Sequence, residues 1–349
     1  LVIDAENLEA KENNFLAGLV VRSGRFGFAF VDISTGEFRA AETRDREYFR
    51  AETAGLEIRE LIVPEDLEDP ELLAALAGDG ERCLVNRFPP ERFDPAEALG
   101  LLRDHFGPEG LGPSGVEDHP AMAAAAGAVL AYMAQTQKDS LAHINRLLPY
   151  ESGTHLILDD VAKRNLELFE TIVEGKRAGS LLQVLDQTVT SPGARRLRWW
   201  LHYPLRDPDR IRERLAAVSE LRDEHLARER LRAALRSVYD LERLGSRIAV
   251  GLANGRDLAA LRTSLRALPE VRALIAPFEA PLLGAIHAGI DEMPDVLDWV
   301  DRAIVDDPPL TIREGGIIRE GYDADLDGLI AITRDGRQWI AALEEKERK

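Results

Sequence analysis

The segment TVTSPGARRLRWWL, residues 188–201, places Arg and Trp side chains side by side, as nucleic-acid-binding surfaces often do. Guanidinium groups pair with phosphates and aromatic rings stack on bases, so Arg195 and Arg198 are candidates for a weak nucleic-acid contact. Residues 195–247 contain 14 Arg against 9 Asp and Glu, a basic window in a chain whose net charge is −18. The first hypothesis is therefore a non-specific nucleic-acid-binding module.

The same segment is also typical of a helix that starts in a turn and packs into a core. A hydroxyl residue can cap the first turn, and Pro is well suited to the position that follows. Three apolar residues then fall at i, i+3 and i+4, which predicts one buried face with Trp199 and the Arg residues off it. We favour this structural joint, with acidic groups of the same chain as first partners of the Arg residues and DNA phosphates as second. Its helix start and core anchors are Thr190, Ser191, Pro192, Gly193, Leu197, Trp200 and Leu201.

Two stretches partly match nucleotide-binding motifs, but neither has the context that such a motif requires. Residues 110–115 match G-x-G-x-x-G, but no strand precedes them and Pro113 interrupts the motif, so we expect a loop. The Gly175-Lys176 pair is followed by Arg177 and lacks the upstream Gly of a Walker A loop. We therefore expect no catalytic, cofactor-binding or metal-binding residue in this chain.

Metal sites are also disfavoured by spacing. The seven His residues lie at least twelve positions apart and Cys83 is the single cysteine, so no zinc cluster is readable. Asp32 ends a predicted strand, where two-metal nucleases place a carboxylate, but such sites need several convergent carboxylates. Glu57, Glu60 and Asp104 fall in predicted helix or loop, so turn capping by Asp32 is favoured over a nuclease.

Periodicity divides the chain into two parts. Residues 15–42 predict a three-strand meander with Phe26, Phe28 and Phe30 on one face, and the following stretches alternate helix and strand. This predicts a mixed sheet with helices. A Gly- and Pro-rich stretch, 107–115, is interpreted as a loop or linker that marks a boundary, so the domains are expected at 1–118 and 119–349. Residues 1–120 hold 12 Lys and Arg against 26 Asp and Glu, which makes the first part an unlikely DNA contact.

The second part is predicted to be mostly helical. The run 121–134, AMAAAAGAVLAYMA, predicts a buried helix and is too short to cross a bilayer. Apolar residues at helical spacing predict further amphipathic helices, one of them through Ile211, Leu215, Val218 and Leu221. The single cysteine favours a cytoplasmic protein. Because the chain starts at Leu1 and ends in EEKERK without a C-cap, we expect a piece of a longer protein.

Several long segments resemble, in order, the MutS family of bacterial DNA mismatch repair proteins. The start of the family's core domain is similar to RNLELFETIVEGKRAGSLLQVLDQTVTSPGARRLRWWLHYPLRDPDRIRERLAAVSEL, residues 164–221. Further core segments are similar to residues 240–265 and 306–329, and the lever helix to RDGRQWIAALEEKERK, residues 334–349. Upstream, AKENNFLAGLV and FGFAFVDISTGEF resemble the family's connector domain.

The resemblance implies a multidomain α+β protein, with a ribonuclease H-like α/β connector followed by an all-α core and lever domain that stops where the clamp begins. It implies a middle fragment that couples mismatch binding to an ATPase domain and offers a connector surface to a MutL-type partner. ATP, magnesium and mismatched double-stranded DNA would be bound through the full-length protein, near the bacterial nucleoid. The family's Phe-x-Glu reader and Walker A motif are missing here, so the fragment is expected to be non-enzymatic. We also expect no membrane association. Because the family's dimer forms largely through the ATPase part, the fragment is expected to be a monomer or weak dimer.

Overall fold

A meander of three antiparallel strands forms the centre of the first half of the chain. The structure is a computed structural model that describes residues 9–53, 56–77, 83–136, 141–150 and 153–333. Strands β1 (Phe15–Arg22), β2 (Arg25–Asp32) and β3 (Glu37–Thr43) follow one another through tight turns. Gly24 and Gly36 have φ of 71° and 80°, a left-handed backbone that glycine adopts without strain. The predicted meander is confirmed.

Three parallel strands extend the meander on both sides. β4 (Ile58–Pro64) pairs with β1, β5 (Leu84–Phe88) pairs with β4, and β6 (Leu147–Pro149) pairs with β3, giving the order β5-β4-β1-β2-β3-β6. Helices α1 (Arg46–Thr53) and α2 (Pro70–Ala77) connect β3 to β5, and α3 (Pro95–Leu111) and α4 (Pro120–Thr136) precede β6. The mixed sheet with helices is the arrangement that the sequence predicted.

The two faces of this sheet bury different clusters. Phe26, Phe28 and Phe30 share one face with residues of α1 and α2, as their alternation predicted. The other face is covered by α3 and by the Ala-rich α4, whose residues are almost all buried. The backbones approach so closely that a Cβ built on Gly27 would lie 1.9 Å from the carbonyl oxygen of Ala121. Small side chains on both elements make this contact possible.

The division drawn at residue 118 therefore cuts through a packed layer. Helix α4 lies on β1 and β2 and β6 completes the sheet, so the sheet unit, as defined here, comprises the described residues up to 150. The linker predicted over 107–115 is also wrong. Gly107, with φ of 62°, breaks α3, the helix resumes to Leu111, and a 3₁₀ turn, Gly112–Ser114, follows. Leu111 of this stretch and Val116 directly after it are buried in the sheet's core, which holds the stretch in place despite its Gly and Pro content.

The helical unit, as defined here, comprises residues 153–333. Its helices are α5 (Asp160–Asn165), α6 (Leu181–Leu185), α7 (Ser191–His202), α8 (Pro208–Asp223), α9 (His225–Leu235), α10 (Leu241–Ala249), α11 (Gly255–Ile275), α12 (Pro281–Gly289) and α13 (Pro294–Ala303). A further helix runs from 324 to the end of the described residues at 333. The lever segment 334–349 lies outside them. Within these ranges, no helix combines the length and apolar character that crossing a membrane requires.

The helical unit has smaller cores than the sheet. Helices α8, α9, α11 and α12 meet in a cluster that includes Ala217, Val271 and Phe278, while α11 and α13 form a second cluster around Val300. The apolar stripe predicted on α8 is only partly used. Leu221 packs into the first cluster, but Leu215 is 59% exposed and its neighbours on the stripe, Ile211 and Val218, are exposed as well. Periodicity correctly predicted the helix but not which of its faces the rest of the chain covers.

Candidate functional site at the junction of the sheet and the helices

Helix α7 joins the two units, and its first turn is fixed by a side chain. The Thr190 hydroxyl accepts a hydrogen bond from the amide of Gly193 at 3.2 Å, so Thr190 rather than Ser191 is the N-cap. Ser191 and Pro192 form the first helical positions. The cap satisfies one of the amide groups that a helix start leaves without a partner.

The face that α7 buries differs from the predicted one. Trp199, which the spacing placed off the core, packs against the aromatic cluster of the sheet, 6.3 Å from the Phe30 ring and 4.4 Å from Tyr203. Trp200 is 37% exposed, so its assignment as a core anchor is wrong. Leu197 and Leu201 are half-buried. The i, i+3, i+4 spacing predicted the wrong face because it assumes that every charged position is exposed, whereas one charged residue of α7 is buried.

That buried charged residue is Arg195, which is 4% exposed. Its guanidinium donates two hydrogen bonds to Asp240, at 2.6 and 2.9 Å, and one to Glu242 at 2.6 Å. It also donates to the carbonyl of Ala10, at 3.1 Å, in the segment before β1. Burial disfavours the charged guanidinium, but the hydrogen bonds to the two carboxylates outweigh it, and the pKa of Arg195 is raised. Arg195 thus ties α7 to the start of α10 and to the sheet unit.

Arg243 of α10 makes a second connection to the sheet unit. Its guanidinium donates to the Ser34 hydroxyl at 3.1 Å, and to the carbonyls of Glu9 and Glu12 at 3.2 and 2.6 Å. Burial and the neighbouring Arg195 lower the pKa of Arg243, and Asp32 partly opposes this. We call the contacts of Arg195 and Arg243 with their partners the junction network.

Asp32 is fully buried and is connected to the junction network through Ser34, whose hydroxyl donates to Asp32 and accepts from Arg243. One carboxylate oxygen accepts hydrogen bonds from the amide and hydroxyl of Ser34, at 2.9 and 2.6 Å, and the other accepts from the Asn13 side chain at 2.8 Å and the Asn14 amide at 3.3 Å. This is the turn-capping geometry that the sequence favoured. Across the described ranges no group of three His, Cys, Asp or Glu is placed to hold a metal ion. A nuclease centre therefore has no carboxylate cluster to use here.

Arg198, the second candidate for a nucleic-acid contact, is also engaged within the chain. Its guanidinium pairs with Glu57 of the sheet unit and lies 5.3 Å from the Phe169 ring centre. One turn later on α7, the His202 ring stacks on the same Phe169 ring, with the ring centres 3.7 Å apart. Burial, and then the positive charges of Lys163 and Arg198, hold the pKa of His202 well below its ordinary value. Both Arg195 and Arg198 therefore have carboxylate partners in the chain, the arrangement we favoured over DNA.

A cleft of about 850 Å³ opens beside the junction, between the 35–38 turn, residues 142–148, α7 and α10. His143 lines it, and its Nε2–H donates a hydrogen bond to the Ile33 carbonyl oxygen at 2.9 Å. Burial lowers the pKa of His143. Its described lining brings residues of the sheet unit, such as His143, next to Arg195 of α7 and Glu242 of α10.

Sequence reasoning missed Asp240, Glu242 and Arg243, which complete the junction network. The one local signal was Asp240, whose side chain caps α10 by accepting from the Arg243 amide at 3.3 Å. An Asp before an apolar helical pattern predicts such a cap. Its second role, as partner of a buried guanidinium 45 residues earlier, has no local pattern.

Comparison with known proteins agrees with this architecture. The family model of MutS domain II matches residues 14–145, and that of MutS domain III matches residues 161–348. The chain is 40% identical over 350 residues to a DNA mismatch repair protein MutS of Myxococcus xanthus, and 41% identical over 352 residues to one of Symbiobacterium thermophilum. All of this chain is covered in both alignments, but only 39% and 40% of the relatives. The chain thus spans about two fifths of the length of these curated relatives, and it belongs to the MutS family of DNA mismatch repair proteins, of which it contains domains II and III.

Proposed function

We propose that this chain is the coupling piece of a DNA mismatch repair protein, without catalysis of its own. The observation that carries the proposal is the junction network, in which buried, charge-assisted hydrogen bonds join the sheet unit to α7 and α10. Such bonds have defined directions and hold two packed bodies in one relative orientation. A movement imposed on one unit is then passed to the other.

The helical unit has the mechanical properties that this role requires. Helix α11 has 21 residues, which corresponds to roughly 30 Å at 1.5 Å per residue. A capping box of Asn254 and Asp257 fixes its start, and the buried Arg262 donates to the carbonyls of Ile304, Val305 and Asp306 beyond α13. Stiff helices held by side chain to backbone bonds transmit rotation over such lengths. Coupling further requires that the protein has two packing arrangements, and that ligand binding at each of the two coupled sites shifts the equilibrium between them.

In the full-length protein we propose that the coupled sites are mismatched double-stranded DNA and an ATPase domain that binds ATP and magnesium. These assignments are supported by family membership and by the names of the relatives. We further propose that the sheet unit presents a surface to a MutL-type repair protein. The strongly acidic character of residues 1–120 supports a protein partner over a DNA contact. We place the protein in the bacterial cytoplasm, near the nucleoid, and the isolated chain as a monomer or weak dimer.

The test separates coupling from the two activities that are coupled. In the complete protein, Arg195→Met is expected to leave ATP turnover without DNA and mismatch affinity without nucleotide within about twofold of wild type. The change in ATP turnover caused by mismatched DNA is expected to fall at least about fivefold, the lower end of typical coupling energies. Arg212→Met is the matched control, because Arg212 pairs with Asp209 on the exposed surface of α8. Unchanged coupling in a folded Arg195→Met protein would contradict the proposal.

Two simpler measurements address the alternatives. The isolated chain is expected to hydrolyse no ATP, since its sequence lacks a Walker A loop. In a Mg²⁺ or Mn²⁺ cleavage assay, we expect no DNA cleavage by the wild type. Metal-dependent cleavage that Asp32→Ala abolishes would instead support a nuclease.

A further inference from the structure

A second, smaller pocket lies along α7 next to the cleft described above, and Arg196 and Trp199 line both. It encloses about 270 Å³ between β3, β6, α7 and the start of α8. Guanidinium groups and aromatic rings provide most of its wall, and none of the described residues that line it is acidic. The charged members of the wall are Arg39, Arg196, Arg210 and Arg214, with His155.

Among the described residues, only Arg39 of these four has a carboxylate partner. Arg39 pairs with Glu37 at 2.6 Å. Within the part of the chain that the structure describes, Arg196, Arg210 and Arg214 form no ion pair and no side-chain hydrogen bond. Arg195 and Arg198, at neighbouring positions of α7, differ in this respect because each forms an ion pair with a carboxylate.

The three unpaired groups repel one another. Burial, and then the charges of Arg196 and Arg210, lower the pKa of Arg214. Arg214 is nevertheless held in place, because its guanidinium lies over the Trp200 ring at 3.9 Å from the ring centre. This contact covers one face of the ring of Trp200, which is otherwise exposed. Its ring supports a cation at the pocket wall, a favourable arrangement that fixes a long side chain.

The chemistry of the wall selects the ligand. Guanidinium groups match phosphate oxygens through paired N–H donors, and several of them around one pocket suit a group with three or more oxygens. The pocket volume accommodates a phosphate or pyrophosphate group but not a folded segment of protein. The exposed positions of Arg196 and Arg210 leave them accessible to a ligand from solvent. An anion bound here reduces the repulsion between these guanidiniums, which no described carboxylate offsets by an ion pair.

We propose that Arg196, Arg210 and Arg214 form a phosphate-binding site, with Trp200 positioning Arg214. The phosphate comes from a nucleic-acid backbone or from a free phosphorylated compound. The inference is independent of the coupling proposal, because none of these four residues belongs to the junction network.

The test uses the 349-residue chain and a double variant, Arg196→Gln/Arg210→Gln. Both side chains are exposed, so the variant is expected to unfold at the same urea concentration as the wild type. Arg212→Gln is the control on α8, since it removes one positive charge from the helix that carries Arg210 but outside the pocket. Calorimetric titration with pyrophosphate is the first arm. Fluorescence anisotropy of a labelled duplex DNA at several salt concentrations is the second, and titration with poly-glutamate is the third.

We expect the double variant to bind pyrophosphate at least about tenfold more weakly, as follows from losing charge-assisted hydrogen bonds, and Arg212→Gln to match wild type. If DNA is the source, the double variant also lowers the slope of log affinity against log salt by about two. If the DNA arm is unchanged while pyrophosphate binding falls, a free phosphorylated compound is the source. Equal pyrophosphate binding by all three proteins would overturn the site, and so would poly-glutamate binding with the same dependence on Arg196 and Arg210.

Discussion

Replacing Arg195 by Met tests whether the junction network holds the two units together. Methionine keeps the length and apolar stem of the side chain and removes its charge and its hydrogen-bond donors. The substitution leaves Asp240 and Glu242 without the guanidinium that both contact at 2.6 Å. It also frees the Ala10 carbonyl, so contacts on both sides of the junction are lost at once.

The expected magnitude follows from how far each partner is removed from water. The Arg195 side chain is 5% exposed and that of Asp240 is 17%, whereas Glu242 is 56% exposed and regains solvent easily. Removing one member of a buried pair costs roughly 3–5 kcal/mol, because the remaining charge stays buried without compensation. Asp240 keeps some solvent and has Arg243 at 3.9 Å, so we expect the lower end, about 3 kcal/mol.

Equilibrium unfolding in urea, followed by circular dichroism, measures this loss. Arg212→Met removes an ion pair on the exposed surface of α8 and is expected to cost between about 0 and 1 kcal/mol. Asp240→Asn completes a double-mutant cycle. The double variant is expected to lose about 1–3 kcal/mol less stability than the sum of the two single losses. A cost of Arg195→Met below about 1 kcal/mol, or strict additivity with Asp240→Asn, would refute the reasoning.

Three further predictions concern packing, capping and ionisation. Gly127→Ala is expected to lower the free energy of unfolding in urea by roughly 1–3 kcal/mol, because the new Cβ would lie 2.4 Å from the Cβ of Ala98 in α3. Gly100→Ala places its Cβ in open space and is expected to raise that free energy by about 0.5–1 kcal/mol. Thr190→Ala is expected to cost about 1 kcal/mol through loss of the α7 cap, and Ser191→Ala less than about 0.5 kcal/mol, measured in the same way. His202→Phe is expected to weaken the loss of stability on acidification below pH 6.5, measured as unfolding free energy against pH.

The sign of the pH effect follows from burial. The folded state holds the pKa of His202 well below 6.5, while the unfolded chain titrates near that value. Below pH 6.5 the unfolded state therefore binds more protons, and stability is lost as the pH falls toward the folded pKa. His143, whose pKa is also lowered by burial, contributes in the same direction and keeps part of the effect in the variant. A pH profile of His202→Phe identical to wild type would contradict this assignment. Equal effects of Gly127→Ala and Gly100→Ala would contradict the packing prediction, and equal effects of Thr190→Ala and Ser191→Ala the capping prediction.

Local patterns along the sequence determined the elements of this protein. Alternation placed Phe26, Phe28 and Phe30 on one face of a strand, and the Ala-rich run predicted the buried helix α4. A hydroxyl residue followed closely by Pro192 predicted a capped start of α7, and the structure places the cap at Thr190. These features depend on residues within a few positions of one another, so the sequence itself contains the information that they need.

The roles of charged residues depended on contacts between distant parts of the chain. Arg195 is buried because Asp240, 45 residues later, and Ala10, 185 residues earlier, meet its guanidinium. That burial turned α7 so that Trp199 rather than Trp200 faces the sheet. The sequence determined that an Arg- and Trp-rich helix exists here, but only the tertiary structure decided which guanidiniums are neutralised and which remain available. The physical reason is that burying a charge is favourable only with a partner, and the partner comes from folding rather than from sequence proximity.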